Sequence, residues 1–221
     1  MPRVLFDLTR PLGASTPAWP GDTPFSHTWT VEPGPGTAAV SALTLSPHLG
    51  THLDAPLHVA EGGADAASLP PAACFGPCQV VRIADREGTL TPADLPAGWS
   101  PVTARVLFAT GAWAAGAPLP ERFPAPGCEL VDLLADAGVA LIGVDTPSVD
   151  LASAEELPTH RRCAERGVLI LEGLDLTAVP QGQYLLAALP LPLVGVEASP
   201  VRAVLLDDRP ARTEHPRMIT G

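Results

Sequence analysis

Between His48 and His58 the chain reads His48-Leu49-Gly50-Thr51-His52-Leu53-Asp54-Ala55-Pro56-Leu57-His58, and half of its six histidines lie in this one stretch. His48, His52, Asp54 and His58 share parity, so an extended backbone directs all four side chains to one face. A helix would set His48 beside His52 but turn Asp54 away, and Gly50 and Pro56 oppose a regular helix. A straight strand would hold the two ends about 33 Å apart, whereas a metal–ligand bond is only about 2 Å long. One site can use both ends only if the chain bends, and Gly50 and Pro56 stand where bending is easiest. Imidazole and carboxylate without thiolate form a donor set for Zn²⁺ or a similar divalent ion. The plainer alternative is three unrelated surface histidines in a loop.

The 27 prolines and 20 glycines are spread over the whole chain, which favours many short strands over a helical bundle. Strands are predicted at residues 4–8, 38–45, 78–83, 104–109, 139–144, 167–171, 183–188 and 201–206. Leu130, Leu133 and Leu134 carry helical spacing after Pro126-Gly127, so a helix is predicted over 129–137. That helix feeds an apolar run ending at Asp145, an order typical of α/β folds. A second short helix is expected at 152–156 or 161–165. Residues 112–127, opened by Trp113, read as a surface loop, and the chain from Arg209 onward reads as poorly anchored. The expected fold class is α/β, one domain over residues 1–221 with a mixed sheet and few helices.

A net charge of −11 leaves nothing to neutralise a run of phosphates, so no nucleic-acid partner is expected. Every cationic side chain is arginine; the absence of lysine excludes a lysine Schiff base and a P-loop lysine. No apolar stretch of about 18 residues is free of Pro, Gly or charge, so no membrane span is expected. No secretory signal is visible. Cys74, Cys78, Cys128 and Cys163 form no Cys-x-x-Cys pair and read as reduced thiols of a cytoplasmic protein.

Glu172 lies near the end of the apolar run Val168-Leu169-Ile170-Leu171-Glu172-Gly173-Leu174. A buried Glu must be paired, protonated or bound to a cation; an edge-strand Glu in water is the alternative. Taken alone, His160 reads as a solvated loop histidine, and Trp19 reads as a plug at the domain edge. No Gly-x-Ser-x-Gly elbow is present, so a serine nucleophile has no visible seat.

Read together, these segments resemble one family. The string His48-x-Gly50-Thr51-His52-x-Asp54-x-Pro56-x-His58 is similar to the signature of the metal-dependent cyclase family. Trp19-Pro20-Gly21-Asp22-Thr23-Pro24, Gly143-Val144-Asp145-Thr146-Pro147-Ser148, and His160 with Leu171-Glu172-Gly173-Leu174 narrow the resemblance to its bacterial kynurenine formamidase (arylformamidase) branch. The likeness runs from Phe6-Asp7-Leu8 to about Leu191.

The resemblance implies a barrel-like α/β layer fold and a homodimer. It implies that His48, His52 and Asp54 hold one zinc, that Asp54 and Glu172 bridge to a second, and that His160 completes the second site. Mn²⁺ or Co²⁺ suits the same ligands. His58 would stay off the metals as proton donor and acceptor, and Trp19 would line the substrate pocket. The implied reaction is hydrolysis of N-formyl-L-kynurenine to L-kynurenine and formate by a water activated between two zincs, a step of tryptophan degradation. Ala154-Glu155-Glu156 is more acidic than the resemblance leads one to expect. Recognition of a substrate carboxylate would call for an Arg or a backbone nest, and no arginine stands out for it. Two alternatives remain: a related hydrolase acting on a cyclic amide such as isatin or on another aryl formamide, and a non-catalytic metal protein with His58 as a further ligand.

Overall fold

The computed structural model describes residues 3–83 and 86–207. In chain order the strands are β1 (Val4–Asp7), β2 (Ser26–Val31), β3 (Val40–Thr44), β4 (His52–Asp54), β5 (Phe75–Arg82), β6 (Gly88–Leu90) and β7 (Arg105–Ala109). They continue with β8 (Pro124–Pro126), β9 (Leu141–Val144), β10 (Leu169–Glu172), β11 (Gly182–Ala187), β12 (Ala198–Pro200) and β13 (Val204–Leu206). The helices are α1 (Pro71–Cys74), α2 (Cys128–Asp136) and α3 (Pro158–Arg166).

Nine strands form one curled, half-barrel sheet in the order β1-β13-β11-β5-β7-β9-β10-β4-β12. The centre, β5-β7-β9-β10, is parallel, and the flanks are antiparallel. β7, β9 and β10 are buried along their full length, which explains their near-continuous apolar sequences. Side chains still alternate between two cores, as the period of a strand requires. Leu107, Leu141, Leu169 and Leu171 join Leu8, Leu53, Leu186 and Leu205 on one face. Val106, Phe108, Ile142, Val144 and Ile170 face the other way, onto Leu130, Val131 and Leu134 of α2 and Cys163 of α3. The α/β class, the mixed barrel-like sheet and the small number of helices agree with the sequence expectation.

Several local expectations are corrected. The extended reading of 48–58 holds only for His52–Asp54: Gly50 turns the chain at φ +70°, and Pro56 opens a 3₁₀ turn over Pro56–His58. The second helix covers Pro158–Arg166, longer than 161–165, while 152–156 is irregular. The supposed surface loop at 112–127 is partly interior, with Trp113 and Phe123 buried and Pro124–Pro126 paired in parallel with β6. β2 and β3 form a separate antiparallel hairpin, of which only β3 falls on a predicted strand. The segment from Arg209 onward lies outside the described residues. Among the described residues no helix is long and apolar enough to cross a membrane.

One close approach fixes the working end of the sheet. Gly173, directly after β10, sits at φ +66°, and a Cβ placed there would lie 2.2 Å from the Gly50 carbonyl oxygen. Only glycine lets the two backbones meet this closely. Gly173→Ala is therefore expected to destabilise the fold by at least about 2 kcal/mol, with a left-handed conformation and a backbone clash both opposing it. Gly138→Ala, also left-handed at φ +83° but facing open space, should cost only about 1 kcal/mol. Urea unfolding of the two variants checks the difference.

Candidate metal centre and active-site cavity

The register of two strands assembles the first part of the site. β10 pairs antiparallel with β4 so that Glu172 faces His52 and Ile170 faces Asp54. Directly opposed side chains stand about 5 Å apart. Leu53 and Leu171 turn to the first core, so His52, Asp54 and Glu172 turn to the helix-bearing face. There α3 brings in His160 from its first turn, and the Gly50 turn folds His48 back over β4. His52, Asp54, His160 and Glu172 are all buried, each at most 4% exposed.

The donor atoms crowd together. Asp54 Oδ1 lies 3.0 Å from His48 Nδ1 and 3.3 Å from His52 Nε2, and its Oδ2 lies 3.4 Å from His160 Nε2. Glu172 Oε2 is 3.3 Å from His52 Nε2, and Oε1 is 3.2 Å from His160 Nε2. Each carboxylate thus reaches both sides of the cluster. Yet both Asp54 oxygens, and Nε2 of His48 and of His52, are buried without a hydrogen-bond partner. Buried polar atoms without partners are rare. Atoms that crowd without pairing are aimed at the space between them, and a cation there satisfies them all. Two overlapping groups meet that condition, His48–His52–Asp54 and Asp54–His160–Glu172, with the ligand atoms of each within 4.8 Å of one another. The donor set fits a divalent metal ion.

Neighbouring groups aim these ligands. His52 Nδ1 donates to the Gly50 carbonyl at 3.0 Å, which leaves Nε2 to face the carboxylates. His160 Nδ1 donates to Asp150 Oδ2 at 2.7 Å. The same Asp150 carboxylate accepts the backbone N–H groups of Thr159 and His160, capping the first turn of α3. A carboxylate behind a metal-binding histidine fixes its tautomer and orientation. Glu172 Oε1 also accepts the Val149 N–H at 2.7 Å.

The protein's own charges show what the cluster demands. Burial disfavours a charged His52, but Asp54 and Glu172 outweigh it and push its pKa up to about 10. For His160, burial is outweighed by Asp150, Asp54 and Glu172, and the pKa rises to about 12. Asp54 is held well below the usual carboxylate range in spite of burial, chiefly by the charge of His52. Without metal, the two imidazoles carry the positive charge that the carboxylates require. His58 behaves oppositely: burial lowers its pKa, and the nearby His48 and His160 add to this against the pull of Asp54.

His58 stands apart from both metal groups. Its ring centroid is 4.4 Å from that of His48 and 5.3 Å from that of His160, and it faces a cavity of about 400 Å³. Trp19 and Trp113 line this cavity, together with Leu119, Leu151 and the candidate ligands His48, His52, His160 and Glu172. Trp19 is 37% exposed and sits at the start of a Trp19-Pro20-Gly21-Asp22 turn closed by Asp22 N–H donating to the Trp19 carbonyl. Proline and glycine occupy the two positions that a type II turn prefers, Gly21 at φ +95°. Ser46 Oγ donates to Asp22, and the His48 N–H donates to Ser46 Oγ, so the tryptophan turn is tied to the ligand loop.

Three residues of the site carried no usable sequence signal. Asp150 is a lone acid in an irregular loop. Trp113 sits in a stretch that reads as solvated. Arg10 lies behind Trp113, its guanidinium carbon 3.6 Å from the ring centroid, and donates to the carbonyls of Trp113, Ala114, Gly173 and Leu174. It is a clamp joining the cavity wall to the chain after Glu172. Among the described residues no arginine lines the cavity, whereas Asp22 and Glu155 do.

The raised imidazole pKa values give a pH signature. A folded-state value above the ordinary 6.5 contributes stability that is full below about pH 6.5 and lost as pH climbs through the folded value. Chelator-stripped protein should therefore lose stability steadily between about pH 7 and 10 as His52 discharges. Metal-loaded protein should hold its Tm over the same range, since metal replaces those protons. Thermal unfolding of both forms across this range checks it; a flat profile for stripped protein would contradict the assignment.

Comparison with known proteins agrees with this geometry. The family described as "Putative cyclase" matches residues 6–151. The kynurenine formamidase of Bordetella avium (strain 197N) is 41% identical over 202 residues, covering 91% of this chain and 97% of its own length. A solved structure described as a potential metal-dependent hydrolase with cyclase activity superposes with a TM-score of 0.79 at 30% identity, covering 95% of this chain and 100% of its own. Isatin hydrolase A from Ralstonia solanacearum superposes with a TM-score of 0.74 at 25% identity, covering 94% and 92%. The architecture, the family match over most of the chain and the near-complete overlap with these relatives agree: this chain belongs to the cyclase family.

Proposed function

We propose that this chain hydrolyses N-formyl-L-kynurenine to L-kynurenine and formate, with two zinc ions held by the buried cluster. The chain is a hydrolase, and the similarity to a kynurenine formamidase over nearly its full length directs the choice of substrate. One observation carries the reading: two carboxylates and three imidazoles converge on the floor of an aromatic-walled cavity, and a fourth imidazole faces the same cavity outside the cluster. His48, His52 and Asp54 would hold one ion, and His160 and Glu172, with Asp54 shared, the other. A bound divalent ion supplies Lewis acidity and lowers the pKa of a water towards 7.

The chain's own residues supply the rest. His58 is kept neutral by burial, so it presents a lone pair that can take a proton from the attacking water and return it to the departing aniline nitrogen. Trp19, 37% exposed, offers a ring face for an aryl group, worth about 0.5–1.5 kcal/mol beyond burial, and the buried Trp113 adds apolar wall. The cavity volume of about 400 Å³ lies in the range of small-molecule sites. With Asp22 and Glu155 on its lining and no arginine among the described lining residues, the cavity offers its acids to a substrate ammonium and leaves a carboxylate to backbone donors or solvent. On this reading the reaction belongs to the kynurenine route of tryptophan degradation, and the free thiols of Cys74, Cys128 and Cys163 suit the reducing cytoplasm expected from the sequence.

The second reading, ring opening of a cyclic amide, is favoured by the structural likeness to an isatin hydrolase. Purified protein assayed on N-formyl-L-kynurenine and on isatin, before and after chelation, separates the two. Metal-dependent release of kynurenine with isatin untouched is the expected result; turnover of isatin alone would overturn it. His58→Ala should lower kcat about 10²- to 10⁴-fold with metal content intact. Glu172→Gln should instead empty at least one metal position by elemental analysis. Full occupancy in Glu172→Gln, or loss of metal in His58→Ala, would reverse the assigned roles.

A further inference from the structure

The His58 imidazole makes no hydrogen bond among the described residues, so its place in the cavity depends on the backbone that carries it. That backbone is the Pro56–His58 turn, in which the His58 N–H donates to the Ala55 carbonyl at 2.9 Å and the Val59 N–H to the Pro56 carbonyl at 3.2 Å. The Leu57 N–H donates to the Ala64 carbonyl at 3.0 Å. These bonds all stay within residues 55–64. Among the described residues one side chain from elsewhere hydrogen-bonds to this segment: Arg161 Nη1 donates to the Val59 carbonyl at 3.0 Å, across 102 residues of sequence.

The other donors of Arg161 converge on a strained residue. Leu157 is the one non-glycine residue of positive φ among the described residues, at φ +48° and ψ +57°. A leucine persists in the left-handed region only where its surroundings hold it there, and such strain gathers at functional sites. Arg161 Nε donates to the Glu156 carbonyl at 2.9 Å, and the Arg161 N–H donates to the Leu157 carbonyl at 3.1 Å. The peptide units on both sides of Leu157 are thus held by one residue. Leu157 lines the cavity, as His58 does. Further along α3, Arg162 and Arg166 pair with Asp132, Glu165 and Asp136. Arg161 pairs with no carboxylate among the described residues, and its guanidinium joins two carbonyls of the cavity-lining segments instead.

We propose that Arg161 is a positioning residue for the cavity base, pinning the His58 turn and the Leu157 bend to the first turn of α3. The preceding residue, His160, enters the metal cluster, and its ring centroid is 5.3 Å from that of His58. One turn of helix therefore sets the base at a fixed distance from the cluster. A planar guanidinium offers Nε and Nη1 along different directions, whereas a lysine ammonium is a single compact head. The proposal rests on the reading of His58 as the base and on neither choice of amide.

The test uses full-length protein and whichever of N-formyl-L-kynurenine and isatin the wild type cleaves. Arg161→Met should lower kcat about tenfold, since a misplacement of about 1 Å can cost up to about 10²-fold, with KM within about twofold and metal content unchanged. Arg161→Lys should recover part of the loss, and Arg162→Met should match the wild type. On a His58→Ala background Arg161→Met should change kcat less than about twofold, because a residue that acts through His58 has nothing left to position. Hydrogen exchange of the amides at 57–60 should quicken in Arg161→Met and Arg161→Lys, with and without metal, and not in Arg162→Met; the lysine variant decides should the methionine variant fail to fold. Wild-type kcat in Arg161→Met, loss of its metal, unchanged exchange, or the same tenfold loss repeated on His58→Ala each overturns the proposal and leaves the base assignment standing. Undiminished kcat in His58→Ala overturns both.

Discussion

Everything at the working end of this molecule depends on two carboxylates forced together away from water. Asp54 and Glu172 sit on adjacent strands with their side chains on one face, in a register that backbone hydrogen bonds fix. Each makes ionisation of the other harder, and burial opposes both. A fold that leaves such a pair without positive charge would lose several kcal/mol. Imidazoles satisfy the demand by protonation, and a metal ion satisfies it by coordination. The surrounding architecture maintains the confrontation: the Gly50–Gly173 contact holds the ligand loop against the end of β10, and Arg10 binds the carbonyls just after Glu172.

The placement follows from a general property of parallel strands. Their carboxyl ends open onto loops that the sheet itself does not fill, and ligands gather there. Here the ends of β7, β9 and β10 supply Trp113, Asp150 and Glu172. Asp145, just past β9, accepts the N–H groups of Thr110 and Gly111 and the Thr110 hydroxyl. It is a buried acid used to fix the loop after β7, on which Trp113 rides. Two buried acids in one short segment thus do different work: Asp145 shapes the cavity wall, and Asp150 aims a histidine.

How much of this the sequence revealed depended on whether a residue's environment left a local trace. The histidines and Asp54 were legible because metal binding needs several donors close in sequence or space, and the chain supplies most of them within eleven residues. Glu172 was legible because an acid at the end of an apolar run is unfavourable unless something compensates it. The faces of β7, β9 and β10 were not, since burial on both sides erases alternation. The shared parity of 48–58 misled in detail: only His52–Asp54 is extended, and two turns bring His48 and His58 over it. Arg10, Trp113 and Asp150 act through contacts between 9 and 164 residues apart, which no local pattern encodes. β2 was missed because both faces of the hairpin meet solvent, so it lacks the signature of a strand packed on a core.

The same electrostatics divides the imidazoles into two kinds. His52 and His160 are drawn towards the charged form by flanking carboxylates, while His58, a few ångströms away, is held in the neutral form by burial and by its histidine neighbours. Groups in one pocket whose pKa values are pushed apart are the usual marks of divided acid–base labour. Replacing the protons on the cluster with cations leaves that division intact. Ions held by His48, His52, Asp54, His160 and Glu172 would supply the positive charge that the imidazole protons supply, and His58, outside both candidate groups, would remain the free base. The cluster and the base are therefore a single electrostatic unit: the carboxylate pair draws its own imidazoles towards positive charge, and burial with those imidazoles keeps His58 neutral against the same carboxylates.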